Sequence, residues 1–299
     1  MKMNRTLQLI TLAAITAFTS CDIVEFPVVP SNGTAYREDL YGPAPDFSPA
    51  TPDQQVKRVM LEDFTGQQCG YCPGAAVVAH DIATNNPGKV NVLAIHSGSL
   101  AVSDGIHYFN EFETDEGDIY FGQLAFKTNP IGRVNRAPAN DVPLAPGQWV
   151  AKVDEELAIP ADVALQALAS FEEGANHVNI HVFTELLNDY AGQVRMVVLI
   201  TEGEIEGAQL DYSAVDDPET PENEQILEGY IFEHVLRGSV NGAPGVTVAN
   251  NEVAGYSELR SYTYTWNSTW NIANSHILAF AYDTETGRVL NSIEIGITQ

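Results

Sequence analysis

The chain has 299 residues, 44% of them hydrophobic and 9% aromatic, which is enough apolar material for one large core or two ordinary ones. Its formal charge is −26, from 40 acidic against 14 basic residues. A surface of that sign repels nucleic acid and anionic head groups, so it argues against nucleic acid as a partner and suits an exported protein.

In chain order, the opening MKMNRTLQLITLAAITAFTS places Lys2 and Arg5 ahead of an apolar run from Leu7 to Phe18. That run is too short to span a bilayer and matches a secretory signal over residues 1–20. The ending AFTSC resembles a bacterial lipoprotein cleavage box. On that reading Cys21 becomes the mature N-terminus, carries the lipid and attaches the chain to a membrane. The alternative is an ordinary signal peptide cut nearby, with Cys21 unmodified. Residues 21–55 are rich in proline, turn formers and polar groups, show no regular period, and read as a flexible tether.

Order begins at VKRVMLEDFTG, a buried strand, followed by a Cys-x-x-Cys and by GAAVVAHDIATNNPG, a helix ended by Asn85-Asn86-Pro87-Gly88. KVNVLAIHSG reads as a second buried strand, and DGIHYFNEFETDEGDIYFGQLAF as a partly helical insert. KTNPIGRVNR is extended around Pro130, and APGQWVAKVDEEL is helical. Residues 56–160 therefore form an α/β unit. From residue 161 to 299 the period changes to two. DVALQALASF and HVNIHVFTEL form a hairpin across EEGAN, and VRMVVLITEGEI, GYIFEHVLRGSV, LRSYTYTWN, HILAFAYD and RVLNSIEIGI follow. These segments, with little helix, predict an all-β sandwich of immunoglobulin-like type.

Cys69 and Cys72 are two of three cysteines in the chain. In an oxidising envelope such a pair persists as a disulfide. Three uses fit the spacing: a redox couple, half of a metal site, or a structural staple. At the start of a helix the first sulfur sits among unpaired amides that stabilise its anion, and the second lies close enough to attack a mixed disulfide. A zinc site needs two further ligands, and His80, His96 and His107 form no recognisable ligand pattern. A staple over so short a loop adds little stability.

EDFTGQQCGYC resembles the strand-to-active-site segment of thioredoxin-fold proteins. The resemblance covers roughly residues 56 to 158. It implies Cys69 as the attacking thiolate, Cys72 as the resolving thiol, Asp63 as a buried carboxylate that relays a proton, and Pro130 as a cis-proline facing the disulfide. Gly70-Tyr71 between the cysteines resembles the dipeptide of periplasmic disulfide isomerases and would line the site. Gln67 and Gln68 depart from the family, which keeps an aromatic there. Pro73 departs too, since its ring is expected to conflict with a regular first helical turn.

More widely, LEDFTGQQCGYCPGA, VLAIHSG and FEHVLRG resemble segments of the Omp twenty-eight-related family of exported Gram-negative lipoproteins. That resemblance implies an outer-membrane lipoprotein with an adhesin or receptor role. Two functions stay open. One is a tethered thiol–disulfide oxidoreductase acting on the thiols or disulfides of exported proteins. The other is a non-catalytic surface lipoprotein, with a protein or glycan ligand, that uses the thioredoxin-like domain as a scaffold. Neither calls for a cofactor or a metal.

Remaining polar residues receive simpler readings. His96 ends an apolar strand where α/β sheets place ligands, and it either tunes the cysteines or bonds to a loop. His234 and Arg237 read as a solvated sandwich face. The acidic run DYSAVDDPETPENEQ reads as a solvated loop, and SYTYTWNSTW as cross-strand packing.

Overall fold

The computed structural model describes residues 33–214 and 225–298. The signal segment, Cys21 and most of the acidic run lie outside the described residues. The helix-bearing part comprises β1 (Gly33–Ala35), α1 (Glu38–Tyr41), β2 (Val59–Thr65), α2 (Cys72–Asn85), β3 (Val90–His96), α3 (Asp115–Gly122), β4 (Ile131–Val134) and α4 (Trp149–Leu157). Strands follow: β5 (Val163–Glu172), β6 (His177–Leu186), β7 (Tyr190–Glu202), β8 (Ile205–Leu210) and β9 (Ile226–Phe232). The last are β10 (Val235–Ser239), β11 (Val246–Glu252), β12 (Ser257–Thr265), β13 (Ser275–Asp283) and β14 (Val289–Gly296). A helix-bearing region followed by a region of strands is the order the sequence predicts.

The two regions are joined more closely than the sequence suggests. One sheet runs β14-β13-β7-β10-β3-β2-β4, with β11 also paired to β7. Strand β10 lies antiparallel to β7 and parallel to β3, where Val235 pairs with Ala94. A second sheet, β1-β12-β6-β5, packs on the β7–β13 part, and β8 and β9 form a separate two-stranded ribbon.

Strand composition follows from which faces are covered. Every residue of β2 and β3 is buried. Val59, Leu61, Val90 and Val92 meet Ala75, Ala79 and Ile82 of α2 and Trp149 and Val153 of α4. Met60, Phe64, Leu93 and Ile95 face the opposite core, with Tyr120 of α3. Strand β7 is covered on both sides as well: Val194, Met196, Val198 and Ile200 point into the sandwich, Val197 and Leu199 into the α3 side. A strand covered on both faces reads as a continuous apolar run, which is what VRMVVLI is.

Three expectations need correction. The segment from Gly33 to residue 55 is not a free tether. β1 pairs with β12, Phe47 stacks on Phe183 at 5.4 Å, and the Ala50 amide donates to Glu185 at 2.6 Å. The segments VRMVVLITEGEI and GYIFEHVLRGSV are each two strands, broken at Glu204 (φ 54°) and His234 (φ 56°). A single left-handed residue redirects the chain without disturbing the local alternation, so periodicity passes over it. Strand β11 was not expected at all.

The core also holds a buried ion cluster. Glu62 of β2 meets Arg133 Nε of β4 and Arg136 Nη2 just beyond it, both at 2.8 Å, with all three side chains at most 4% exposed. Burial alone would raise the Glu62 pKa, but the two guanidinium groups hold it below its ordinary value. Removing one partner of a buried pair leaves an uncompensated charge. Glu62→Gln is therefore expected to destabilise the fold by about 3–5 kcal/mol, read from urea unfolding.

Candidate functional site

The Cys-x-x-Cys sits where β2 leaves the sheet. Gly66 begins the loop, and a Cβ there would stand 2.5 Å from the Leu100 carbonyl, so the close approach requires glycine. The Cys72 amide donates to the Cys69 carbonyl at 3.0 Å, and α2 starts at Cys72 itself. Pro73 falls in the first turn, where its missing N–H would have had no partner in any case. The expected conflict does not arise, and the helix neither starts late nor bends away.

Cys69 and Cys72 form a disulfide, with Cα atoms 5.3 Å apart. The two cysteines are 2% and 1% exposed, so neither sulfur is open to solvent as an attacking thiolate needs to be. Their cover is the β8–β9 ribbon. The Leu210 amide donates to the Gln67 carbonyl and the Tyr212 amide to the Gly70 carbonyl, both at 2.9 Å. Gln209 Nε2 donates to the Cys69 carbonyl at 3.1 Å. Gly70 lies under the Tyr212 ring, which a Cβ would meet at 2.5 Å. Tyr71, 71% exposed, packs edge-on against that ring at 5.2 Å. The ribbon thus binds the loop as an extended strand would.

Gln67 takes a structural role in place of the missing aromatic. It is buried, and its Nε2 donates to the carbonyls of Ala101 (3.1 Å) and Asn110 (2.9 Å). It thereby ties the insert between β3 and α3 to the cysteine loop.

Asp63 is buried in β2 one pair of residues before the end of the strand, and its Oδ1 has no hydrogen-bond partner among the described residues. Desolvation pushes its pKa up to about 7. It borders a cavity of about 220 Å³ shared with Ala76 and His80 of α2 and with Tyr230 and His234. Pro130 follows a cis peptide bond at the entry to β4. Asn129 Nδ2 donates to the Thr65 carbonyl at 2.8 Å and the Ser97 carbonyl at 3.0 Å, fastening the ends of β2 and β3 together. The fold therefore gathers Asp63, Cys69, Cys72 and Pro130 around one end of the β2–β3 pair. A second cis peptide, Ala137–Pro138, had no signal in the sequence reading.

His96 occupies a different environment. Its ring packs against Phe112 at 4.6 Å and Phe232 at 5.5 Å, and among the described residues neither ring nitrogen has a hydrogen-bond partner. Burial, with Arg237 adding, pushes its pKa down to about 3, so it is a neutral core side chain at physiological pH. His234 is likewise pushed down to about 4, by burial first and by His276 and His80 second. Arg237 is no solvated residue. It stands 3.3 Å from Glu202, and its guanidinium lies over Phe112 and Trp270, bridging the two regions. Among the described residues no group of three or more His, Cys, Asp or Glu is arranged to hold a metal ion. The sequence reading missed the ribbon and the ion cluster. The only hint of the cluster was a pair of arginines, Arg133 and Arg136, in an apolar extended segment.

A model of the family described as outer membrane protein Omp28 matches residues 118–298. Among solved structures, HBP35 of Porphyromonas gingivalis is similar, at 15% identity and a TM-score of 0.61, over 81% of this chain and 76% of that one. At that identity the likeness speaks to fold alone. A domain of the outer membrane lipoprotein Omp28 from Porphyromonas gingivalis matches at 20% identity and a TM-score of 0.31, over 46% of this chain and 89% of that one. A protein from Agrobacterium tumefaciens matches at 13% identity and a TM-score of 0.47, over 81% of this chain and 95% of that one. No curated protein matches the chain.

The buried carboxyl has a measurable consequence. The unfolded chain releases the Asp63 proton near pH 3.8 and the folded chain only near 7, so the fold retains an extra proton between them. Stability from this group is present below the lower value and declines as pH rises towards the upper one. His96 acts with the opposite sign, costing stability as pH falls below 6.5. Asp63→Asn is expected to stabilise the protein at pH 8 by up to about 4 kcal/mol and to leave stability at pH 3 unchanged, read from urea titrations at the two pH values.

Proposed function

The chain belongs to the outer membrane protein Omp28 family, and on that footing we propose a lipoprotein anchored through Cys21 whose work is binding rather than catalysis. Its helix-bearing region is a thioredoxin-like unit kept as a scaffold, and its later strands form an immunoglobulin-like sandwich. The strand–helix–strand order, the Cys-x-x-Cys at the start of α2 and the cis-proline before β4 support the first assignment. The second is supported by β1-β12-β6-β5 packing on the β7–β13 part of the long sheet. Membrane attachment is assigned to the lipid on Cys21, which the cleavage-box ending AFTSC supports.

The observation that carries the binding reading is the cover over the disulfide. A thiol–disulfide enzyme must bring its attacking sulfur within reach of a foreign sulfur. Here the ribbon and Tyr212 just beyond it already hold the carbonyls of Gln67, Cys69 and Gly70, and both cysteines are buried. The disulfide serves as a staple for the loop that receives the ribbon.

One observation favours the oxidoreductase as a second reading, which is the buried carboxyl of Asp63 at the same end of the sheet, whose Oδ1 meets no hydrogen-bond partner among the described residues. In that chemistry an external dithiol first reduces the internal disulfide and is itself oxidised; the Cys69 thiolate then attacks a substrate disulfide, forming one S–S bond and releasing one substrate thiolate. Asp63 as carboxylate takes the Cys72 proton, and the Cys72 thiolate attacks Cys69, releasing the second substrate thiolate and restoring the internal disulfide.

Equilibration in glutathione buffers, with thiols alkylated and counted by mass, separates the two. The binding reading expects a potential below about −300 mV and no alkylation of the folded protein. A potential between roughly −270 and −120 mV overturns it in favour of exchange chemistry. Tyr212→Gly, which uncovers Gly70, is expected to speed reduction by dithiothreitol. For the anchor, Cys21→Ser is expected to abolish fatty-acid labelling and move the protein from the membrane to the soluble fraction.

A further inference from the structure

The buried ion cluster does not balance. Glu62 contributes one negative charge against the two positive charges of Arg133 and Arg136. Arg133 turns inward, with its Nη1 donating to the Asn140 carbonyl at 2.9 Å and to Asn140 Oδ1 at 3.0 Å. Arg136 is placed differently. Its Nε and Nη2 are held by Glu62, and its flat face lies over Tyr120 at 4.7 Å and Phe280 at 4.9 Å. Among the described residues no hydrogen bond engages its Nη1.

Arg136 borders a cavity of about 420 Å³, within the usual size range of small-molecule sites. Arg195 lines the same cavity. Its Nη2 donates to the Gly245 carbonyl at 2.7 Å, while its Nε is buried with no partner among the described residues. In a chain with 14 basic residues against 40 acidic ones, two guanidinium groups facing one cavity is a concentrated positive site. The Tyr120 and Tyr282 hydroxyls are already bonded to the carbonyls of Ala243 and Pro244, so these rings act as fixed walls. The amide side chains of Gln123, Asn140 and Gln193, with Thr284 and Thr286, supply further polar lining, the oxygens of Gln123 and Asn140 already accepting from Arg133. One carboxylate, Glu285, stands on the exposed rim. Asp283 is turned away, accepting from Thr286 and Tyr190.

We propose that this cavity binds an acidic sugar, a ring bearing one carboxylate, with the carboxylate on Arg136 and Arg195. A carboxylate has two oxygens, and each can accept an N–H from a different guanidinium, here from Arg136 and from Arg195, while amides that both donate and accept match ring hydroxyls. A ring also uses the volume, which a bare oxyanion leaves unfilled. The Glu285 rim disfavours a dianion such as phosphate and tolerates a monoanion held deeper. Neither the disulfide nor the lipid enters this assignment.

Isothermal titration of the whole protein with glucuronate and galacturonate tests it, with galactose, acetate and inorganic phosphate as comparisons. A uronate is expected to bind saturably, and galactose, acetate and phosphate at least about tenfold more weakly. Arg195→Gln, at a half-exposed position, is expected to weaken uronate binding about tenfold while its urea unfolding stays cooperative. Glu285→Gln is expected to tighten it. No saturable binding of either uronate overturns the proposal, as does unchanged affinity in Arg195→Gln. Phosphate or acetate binding as tightly as a uronate overturns the sugar assignment.

Discussion

The constraint on which this architecture depends is the pairing of β10 between β7 and β3. Five residues, Val235–Ser239, carry the sheet from the strand region into the helix-bearing region. Without them β2, β3 and β4 would form a small sheet with an unpaired edge, and β7 would expose the apolar face that Val197 and Leu199 now bury. The join lets the core under α3 draw on both halves of the chain: Met60, Phe64 and Leu93 from one, Leu236, Leu278 and Phe280 from the other. A core shared in this way makes independent unfolding of either half costly.

The same join determines what covers the disulfide. β8 continues from β7 after the left-handed Glu204, and β9 returns to β10 through the left-handed His234. The ribbon is therefore the excursion the chain makes between two neighbouring strands of the sheet. Its base is fixed on both sides, which directs Gln209 and Tyr212 onto the cysteine loop. The covering segment comes from the later, strand-rich half, while the loop it covers comes from the earlier half.

What the sequence revealed and what it hid divide along the range of the interactions. The strand, cysteine loop and helix around residues 59–85 were legible because each is specified within a few residues. So was the β5–β6 hairpin, whose alternation and turn are local. The β10–β3 pairing joins Val235 to Ala94, and no local pattern announces a partner so far away. Glu62 in VMLEDF has the look of an outward-facing strand residue, yet its partners arrive from positions 71 and 74 residues later. The cysteines were placed correctly in the loop, but their burial was invisible because the cover is remote in sequence. β11 escaped because the asparagines in VTVANNE interrupt its alternation, and its pairing with β7 carries two register shifts.

The early part of the chain, from Gly33 to residue 55, is laid along the four-stranded sheet, with β1 as its edge strand. With a lipid on Cys21, only the residues up to 32 separate the bilayer from the folded body. Fully extended, that connection reaches no more than about 40 Å. Such a lipid would leash the molecule by one particular edge and restrict its freedom to tumble at the membrane. The β1 edge would stay near the lipid surface, and a bulky partner would have to approach from the remaining sides. Orientation at the membrane would then be set by where the chain first joins the sheet.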